Sequence, residues 1–367
     1  MATNLNSHIW EPWMFRAINL ASLAEGQTSP NPLVGAVILD EKNRLVGEGF
    51  HLRSGEPHAE IGAIEQAGSL AKGGTLLVNL EPCCHRGKTP PCTDAILRSG
   101  IKRVVVAIQD PDQRVSGKGI AFLKESGIEV VTGILEKEAA FLNRAFIFRN
   151  RTGRPWGTLK WAMSFDGRIG LSNGKSKWIS GEKSRKRVHS LRAKNDAVIV
   201  GGGTVRSDNP LLTTRGIADI EPLRVVCSST LDLPKEAQLW NTELAKTLIF
   251  YGPESDARCL ENLPSGPERL CLEENTPIKV MEALAQRGCN QVLWECGSSL
   301  ATKAIQQNCV QELSLFLSPK LLGGVSAMTP LADFGFSSME QVFKLKEVSS
   351  NKSGEDFVLN MLFDNYG

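Results

Sequence analysis

Three side chains able to hold a metal ion crowd one stretch of the chain: His58, Cys83 and Cys92, with Glu60 two residues after the histidine. Imidazole and thiolate are good zinc ligands, and three of them leave the fourth tetrahedral corner to a water whose pKa then falls toward neutrality. Glu60 is the matching proton carrier, able to take a proton from that water and deliver it to a ring nitrogen and then to a departing amine. This chemistry is hydrolytic release of ammonia from a cyclic amidine.

A lone His-x-Glu is more often structural, so the spacing decides. Cys83, preceded by Pro82, comes 23 residues after Glu60, and Cys92 follows nine residues later. A histidine, a non-ligating glutamate and a Pro-Cys pair with a second cysteine are the pattern of zinc-dependent base deaminases. A purely structural site would close with four ligands, and Cys84 or His85 could supply the fourth. Loss of activity with retained zinc in Glu60→Gln separates the two readings.

These residues need elements to position them. The apolar runs Leu33 to Leu39 and Thr75 to Leu80 read as buried strands. Between them a helix is predicted from near His58 to Ala67, with Gly68 ending it. The helix start sets the imidazole and the carboxylate toward one point, and the two cysteines flank the start of the next helix, TDAILRSG, where the positive dipole end favours thiolates. The strand IKRVVVAI, the helix AFLKES and the strand IEVVTGI complete a layered α/β domain over residues 1–150.

The stretch RNRTGRP, residues 149–155, reads as an exposed linker. Beyond it a second α/β domain over 151–367 is expected. Its strands are TLKWAMS, DAVIV, RVVCS, TLIFYG, NQVLWE and LSLFLS; its helices are SRKRVHSLRAK, KVMEALAQRG and LATKAIQQN. The run Gly201-Gly202-Gly203 lets a cofactor approach the backbone, although by itself it is a weak signal and not a dinucleotide fingerprint.

The composition fits this frame. With 367 residues, 41% of them hydrophobic and 22% charged, the chain is long enough for two ordinary globular domains. Forty-two basic against forty acidic side chains leave +2, and only two tyrosines are present, so the charge and aromatic platform of a nucleic-acid binder is missing. No apolar run approaches the roughly 18 residues of a membrane span, and the start MATNLNSHIWEPW lacks the pattern of a secretion signal. Nine cysteines without framework spacing argue for reduced thiols, and a cytoplasmic protein is expected.

The strings EPCCHRGKTPPC, TSPNPLVGAVI and GEGFHLRSGEPHAE, then RPWGTLKWAMSFDGRI, KSKWIS, SLRAKNDAVIVGGGTVRSDNPLLTTR and LWECGSSL, cover nearly the whole chain. Together they resemble the bifunctional deaminase-reductase family of riboflavin biosynthesis, RibD or RibG. The resemblance implies an α/β fold class: an N-terminal cytidine-deaminase-like three-layer domain followed by a dihydrofolate-reductase-like α/β domain. It implies hydrolytic deamination of a diaminopyrimidinone bearing a 5-phosphoribosylamino group, then NADPH-dependent reduction of the ribosyl group to ribityl.

Carried onto this sequence, the resemblance gives zinc to His58, Cys83 and Cys92 and proton transfer to Glu60, and sets Asn31 and His51 near the pyrimidine. His85, Lys88 and Thr89 fall on the loop between the cysteines, within reach of the ribose phosphate. Lys160 falls near the second reacting centre, and Ser176, Arg192, Leu212, Arg215 and Glu295 where substrate is held. Ala162, Trp178, Thr204, Asp208, Ser229 and Gly297 fall where NADPH is contacted. The family usually has Ser at Cys84, Gly at Cys296 and Thr at Ser180. A homo-oligomer, dimer or tetramer, is expected, with small-molecule substrates and no nucleic-acid or membrane partner. The alternative is a deaminase alone with a degenerate C-terminal binding module, and NADPH titration would tell them apart.

Overall fold

The computed structural model describes residues 7–84, 90–112 and 116–364. The chain forms two compact units, Met1–Gly153 and Arg154–Gly367.

In the first unit the elements are α1 (Ser7–Ser22), β1 (Gly35–Leu39), β2 (Leu45–Phe50), α2 (Ala59–Ala67), β3 (Thr75–Leu80), α3 (Cys92–Ser99), β4 (Arg103–Ile108), α4 (Lys118–Glu125), β5 (Glu129–Thr132), α5 (Glu136–Leu142) and α6 (Arg144–Thr152). The five strands form one sheet in the order β2-β1-β3-β4-β5. β1 runs antiparallel to β2 and β3, whereas β3, β4 and β5 are parallel.

Alternate strand residues point to opposite faces, so a strand covered on both sides reads as a continuous apolar run. Val37, Leu39, Leu77 and Val105 pack against Trp10, Met14 and Ala17 of α1. Their neighbours Ala36, Ile38, Leu76, Val78, Val104 and Val106 pack on the other face with Ala59 and Ala63 of α2 and Ile96 of α3. Helices, sheet and helices make three layers. α1 lies so close to β1 that a Cβ at Gly35 would sit 2.0 Å from the carbonyl oxygen of Ala17.

The stretch predicted as a linker is partly helical. Residues 149–152 form the end of α6, which buries Phe148 and stops at Gly153 in the left-handed region, φ 70°. The charges of RNRT are those of a solvated helix face, which composition alone does not distinguish from a loop.

The second unit contains β6 (Trp156–Ser164), α7 (Glu182–Ala193), β7 (Ala197–Gly201), α8 (Gly202–Asp208), β8 (Leu223–Cys227), β9 (Thr247–Tyr251), α9 (Ala257–Glu261), β10 (Glu268–Cys271), α10 (Pro277–Gln286), β11 (Gln291–Trp294), α11 (Ser298–Gln306), β12 (Glu312–Ser318), β13 (Leu345–Ser353) and β14 (Asp356–Phe363). The sheet order is β10-β9-β8-β7-β11-β6-β12-β14-β13. Strands from β10 across to β12 are parallel, and the β13–β14 hairpin closes the edge antiparallel.

One face of this sheet, including Ile199, Phe250 and Trp294, is covered by Met281 and Leu284 of α10 and Ala304 of α11. The other face, including Val198, Val226 and Leu293, meets Leu191 of α7 and Val205 of α8. The chain builds outward from β7 to β10 and then returns to insert β11 between β7 and β6. This is a topological switch point, and in open parallel sheets ligands bind outside the carboxyl ends of the strands at such a point. Among the described residues no helix is long and apolar enough to cross a membrane.

Candidate active sites

His58 is the residue before the first turn of α2, in extended conformation (φ −72°, ψ 159°), so its ring leaves the helix axis while Glu60 lies on the buried side. Cys92 opens α3, and Cys83 follows the end of β3. The three ligand atoms lie within 4.8 Å of one another. His58 Nδ1 is 3.2 Å from Cys92 Sγ and 3.6 Å from Cys83 Sγ. Zinc bonds of ordinary length in a tetrahedron give an N···S edge of about 3.6 Å, so the donor set fits that ion.

The protonation pattern agrees. Cys83 is held down to about 4, first by its hydrogen bond with Cys92 and then by His58, while Cys92 is pushed far up by the same hydrogen bond and by burial. The two sulfurs share one proton, which a divalent cation replaces. Glu60 is 3% exposed, and its Oε2 lacks a hydrogen-bond partner. Burial, reinforced by the charge of Cys83, pushes its carboxyl up to about 7. A buried, unsatisfied carboxyl beside a three-ligand cluster is costly unless it serves a ligand.

Asn31 and His51 are brought to the same place. The His51 ring packs edge-on against His58, centroids 5.5 Å apart. His51 Nδ1 lies 3.1 Å from the carbonyl oxygen of Pro57, which can only accept, so Nδ1 carries the proton. Nε2 then accepts from Nδ2 of Asn31 at 3.0 Å. Burial keeps the His51 pKa low, consistent with this neutral form.

Three supporting residues escaped the sequence reading. Asn143 accepts from the Leu33 N–H at 2.9 Å and donates to the Leu33 carbonyl at 2.9 Å. Asn79, fully buried, accepts from Gly35 N–H and also donates to Leu33. Between them they hold the segment that carries Asn31. Glu81, next to Pro82-Cys83, accepts from the N–H groups of Asp110, Gly117 and Ile120 and ties the end of β3 to the start of α4. A polar Asn inside TLLVNL was a readable signal; nothing local marks Asn143. His85, Lys88 and Thr89 lie outside the described residues.

In the second unit Lys160, on β6, sets Nζ 3.8 Å from Oε2 of Glu295, which follows β11. Arg192, from the last turn of α7, donates Nε to Oε1 at 2.6 Å and Nη2 to Oε2 at 3.1 Å. Burial raises the Glu295 pKa, but Arg192 and Lys160 outweigh it and hold the carboxyl below its ordinary range. Burial lowers the Lys160 pKa, and Glu295 partly restores it. Arg192 also donates Nη1 to the carbonyl of Thr213 at 3.0 Å, which joins the Leu212–Arg215 loop to this cluster. Leu212 and Arg215 both have φ 57°. Glu221, bonded to Thr214, and the fully buried Arg224, reaching the Leu211 carbonyl, hold that loop in its strained form.

The remaining expected positions ring the switch point. Ala162, on β6, packs with Val188 and Phe316. Thr204 and Asp208 belong to α8, Ser229 follows β8, and Gly297 precedes α11. A Cβ at Gly297 would come no nearer than 4.0 Å to any atom, that atom being Thr204 Oγ1, and one at Gly203 would meet nothing within 4 Å. Gly203 and Gly297, near the starts of α8 and α11, thus leave open space beside their backbone, as close approach of a ligand to the main chain requires. Ser176 and Trp178 lie on the loop between β6 and α7, Ser176 beside Gly170. Cys296 and Cys227 are pushed up by burial, to about 12 for Cys227, and so stay thiols.

Comparison with known proteins follows this division. Residues 8–108 match the family model of the cytidine and deoxycytidylate deaminase zinc-binding region, and residues 155–359 match that of the RibD C-terminal domain. The chain is 49% identical to the riboflavin biosynthesis protein RibD of Synechocystis over 346 residues, 94% of each chain, and 42% identical to that of Bacillus amyloliquefaciens, 96% of each. Among solved structures it resembles Acinetobacter baumannii RibD, with 36% identity, TM-score 0.87, and 97% and 99% of the two chains covered. It also resembles a Thermotoga maritima diaminohydroxyphosphoribosylaminopyrimidine deaminase/5-amino-6-(5-phosphoribosylamino)uracil reductase, with 36% identity, TM-score 0.89, and 98% and 99% covered.

Proposed function

Since the chain belongs to the RibD family, we propose that its two units divide two consecutive reactions between the residue clusters described above. It is a bifunctional enzyme of riboflavin biosynthesis, a zinc-dependent deaminase and an NADPH-dependent reductase. It deaminates 2,5-diamino-6-(5-phosphoribosylamino)pyrimidin-4(3H)-one and then reduces the ribosyl group of 5-amino-6-(5-phosphoribosylamino)uracil to ribityl. The alternative of a degenerate C-terminal module is not favoured, because the RibD C-terminal model spans 155–359.

In the first unit His58, Cys83 and Cys92 hold zinc, which when bound supplies the Lewis acidity that activates a water. Glu60 takes a proton from the water attacking the amino-bearing ring carbon, protonates the adjacent ring nitrogen, and then protonates the amine that leaves as ammonia. Asn31, held by the neutral His51, orients the pyrimidine. The observation that carries this reading is the buried Glu60 carboxyl with an unsatisfied oxygen beside three convergent ligands.

In the second unit Ala162, Trp178, Thr204, Asp208, Ser229 and Gly297 contact NADPH, which when bound supplies a hydride. Ser176, Leu212, Arg215 and Glu295 hold the substrate. Glu295 engages Nε and Nη2 of Arg192 and the Thr213 carbonyl takes Nη1, so Arg192 serves the substrate by orienting that carboxylate and leaves Arg215 as the cation for the phosphate. Lys160 protonates the ribose oxygen that departs from the carbon being reduced. Domain limits of 1–150 and 151–367 for the two activities are supported by the reach of the two family models.

A cytoplasmic homo-oligomer, dimer or tetramer, completes the proposal. All nine cysteines are free thiols, and apolar Leu345, Val348 and Phe357 are exposed along the β13–β14 hairpin. The test supplies the diaminopyrimidinone substrate with NADPH and follows ammonia, ultraviolet absorbance and product mass together. Ammonia without NADPH oxidation would remove the second half of the proposal; light scattering reads the oligomer.

A further inference from the structure

Trp178 is 64% exposed although it is the largest side chain type. One face of its indole is covered by Arg185, whose guanidinium carbon lies 4.5 Å from the ring centroid. The loop around it belongs to no helix or strand, so ladder hydrogen bonds do not hold it. Cationic side chains do so instead. Lys320, beyond the end of β12, donates Nζ to the carbonyl of Trp178 at 2.9 Å and to that of Ile179 at 2.8 Å. Arg185 donates to the carbonyl of Ser180 at 2.7 Å, and Lys177 to that of Asp208 at 3.0 Å.

Lys320 is itself anchored. Its carbonyl accepts from Phe165 N–H at 2.8 Å, just past β6. Asp166 then accepts from the N–H groups of Leu322 and Gly323 at 3.1 and 2.6 Å, so the turn after β6 holds Lys320 and the residues that follow it. The strand that carries Lys160 and Ala162 is thereby linked through one lysine to the loop that carries Trp178. An aromatic with one face stacked and its backbone pinned is preorganised to receive a planar ring on the other face, and preorganisation raises affinity by removing the ordering cost.

We propose that Lys320 is a positioning residue that fixes Trp178 as a stacking platform for a planar ring of NADPH. This rests on the reading of the second unit as an NADPH-binding reductase. Full-length protein carrying 5-fluorotryptophan provides the test, with the Trp178 fluorine resonance identified by its loss in Trp178→Phe. Lys320→Met shifts or broadens that resonance, while the resonances of Trp156, Trp161, Trp240 and Trp294 stay in place and report an intact fold.

The same substitution weakens NADPH binding, read by energy transfer from tryptophan, about tenfold, as expected for losing a charged donor to two carbonyls. Lys320→Arg keeps the donor and restores both readouts. In a Trp178→Ala background Lys320→Met causes no further loss of affinity, because its effect passes through that ring. An unmoved Trp178 resonance, an unchanged dissociation constant, or a loss that adds in full to that of Trp178→Ala overturns the proposal. Wild-type protein that fails to bind NADPH removes the cofactor reading and with it the platform's ligand, whereas the fluorine signal separately decides whether Lys320 holds the ring.

Discussion

Arg192 and Glu295, 103 residues apart in the chain, form a two-armed ion pair whose side chains are only 12% and 9% exposed. A carboxylate so enclosed is stable as an anion only because the guanidinium fork meets both of its oxygens. Its outer side faces the ammonium of Lys160, 3.8 Å away.

That arrangement has a pH consequence. Burial holds the Lys160 pKa below the ordinary lysine range, and Glu295 counteracts this. A protonated donor exists below its pKa, so reductase kcat falls as pH rises through it. Glu295→Gln removes the charge that raises Lys160, and the alkaline limb of the profile moves to lower pH. A limb that stays in place excludes Lys160 as the proton donor.

Glu60→Gln keeps the size of the side chain and removes its proton-carrying capacity. Ammonia release falls by about 10²- to 10⁴-fold, the usual worth of a positioned acid-base group. Bound zinc, counted by elemental analysis, stays at the wild-type level, and NADPH oxidation on the deaminated intermediate persists.

Removal of zinc by a chelator separates the two activities. Ammonia release disappears and returns on adding zinc, whereas reduction of the deaminated intermediate is unaffected. Parallel loss of both would mean that the metal also supports the second unit.

Asn143→Ala takes away the acceptor of the Leu33 N–H, a group 110 residues distant. Leaving a buried donor unpaired costs about 1–3 kcal/mol. Because Leu33 follows Asn31 and Pro32, KM for the diaminopyrimidinone rises while zinc content is preserved. Unchanged KM with a lowered melting temperature would limit Asn143 to stability.

Gly157 lies in β6, where an added Cβ would sit 2.0 Å from the carbonyl oxygen of Cys309. Gly157→Ala therefore destabilises the second unit by about 1–3 kcal/mol, the usual cost of overpacking a filled core. Calorimetry reads this as a lower transition for that unit with deaminase activity retained.

Much of the deaminase centre was legible in the chain. His58 and Glu60 share the start of one helix, and Cys83 and Cys92 flank the start of another, so motif spacing and helix geometry already pointed to which atoms converge. The continuous apolar runs at Leu33–Leu39 and Thr75–Leu80 announced strands covered on both faces, because alternation is lost when neither face meets water. β13 was hidden for the opposite reason: LKEVSSNKS is an exposed edge strand, so its residues carry no burial pattern. Residues 149–152 were read as linker because a solvated helix end and a polar loop have the same composition.

From its sequence the candidate metal ligands, the candidate proton carrier and the layered character of both units were readable, since each rests on a motif spacing or a local apolar run. Which groups restrain them was decided by tertiary structure alone. Asn143 on Leu33, Arg192 on Glu295 and Lys320 on Trp178 are contacts between residues more than one hundred positions apart. Such pairs meet only after strand order and helix packing have brought distant segments together, and no local periodicity or spacing encodes that meeting.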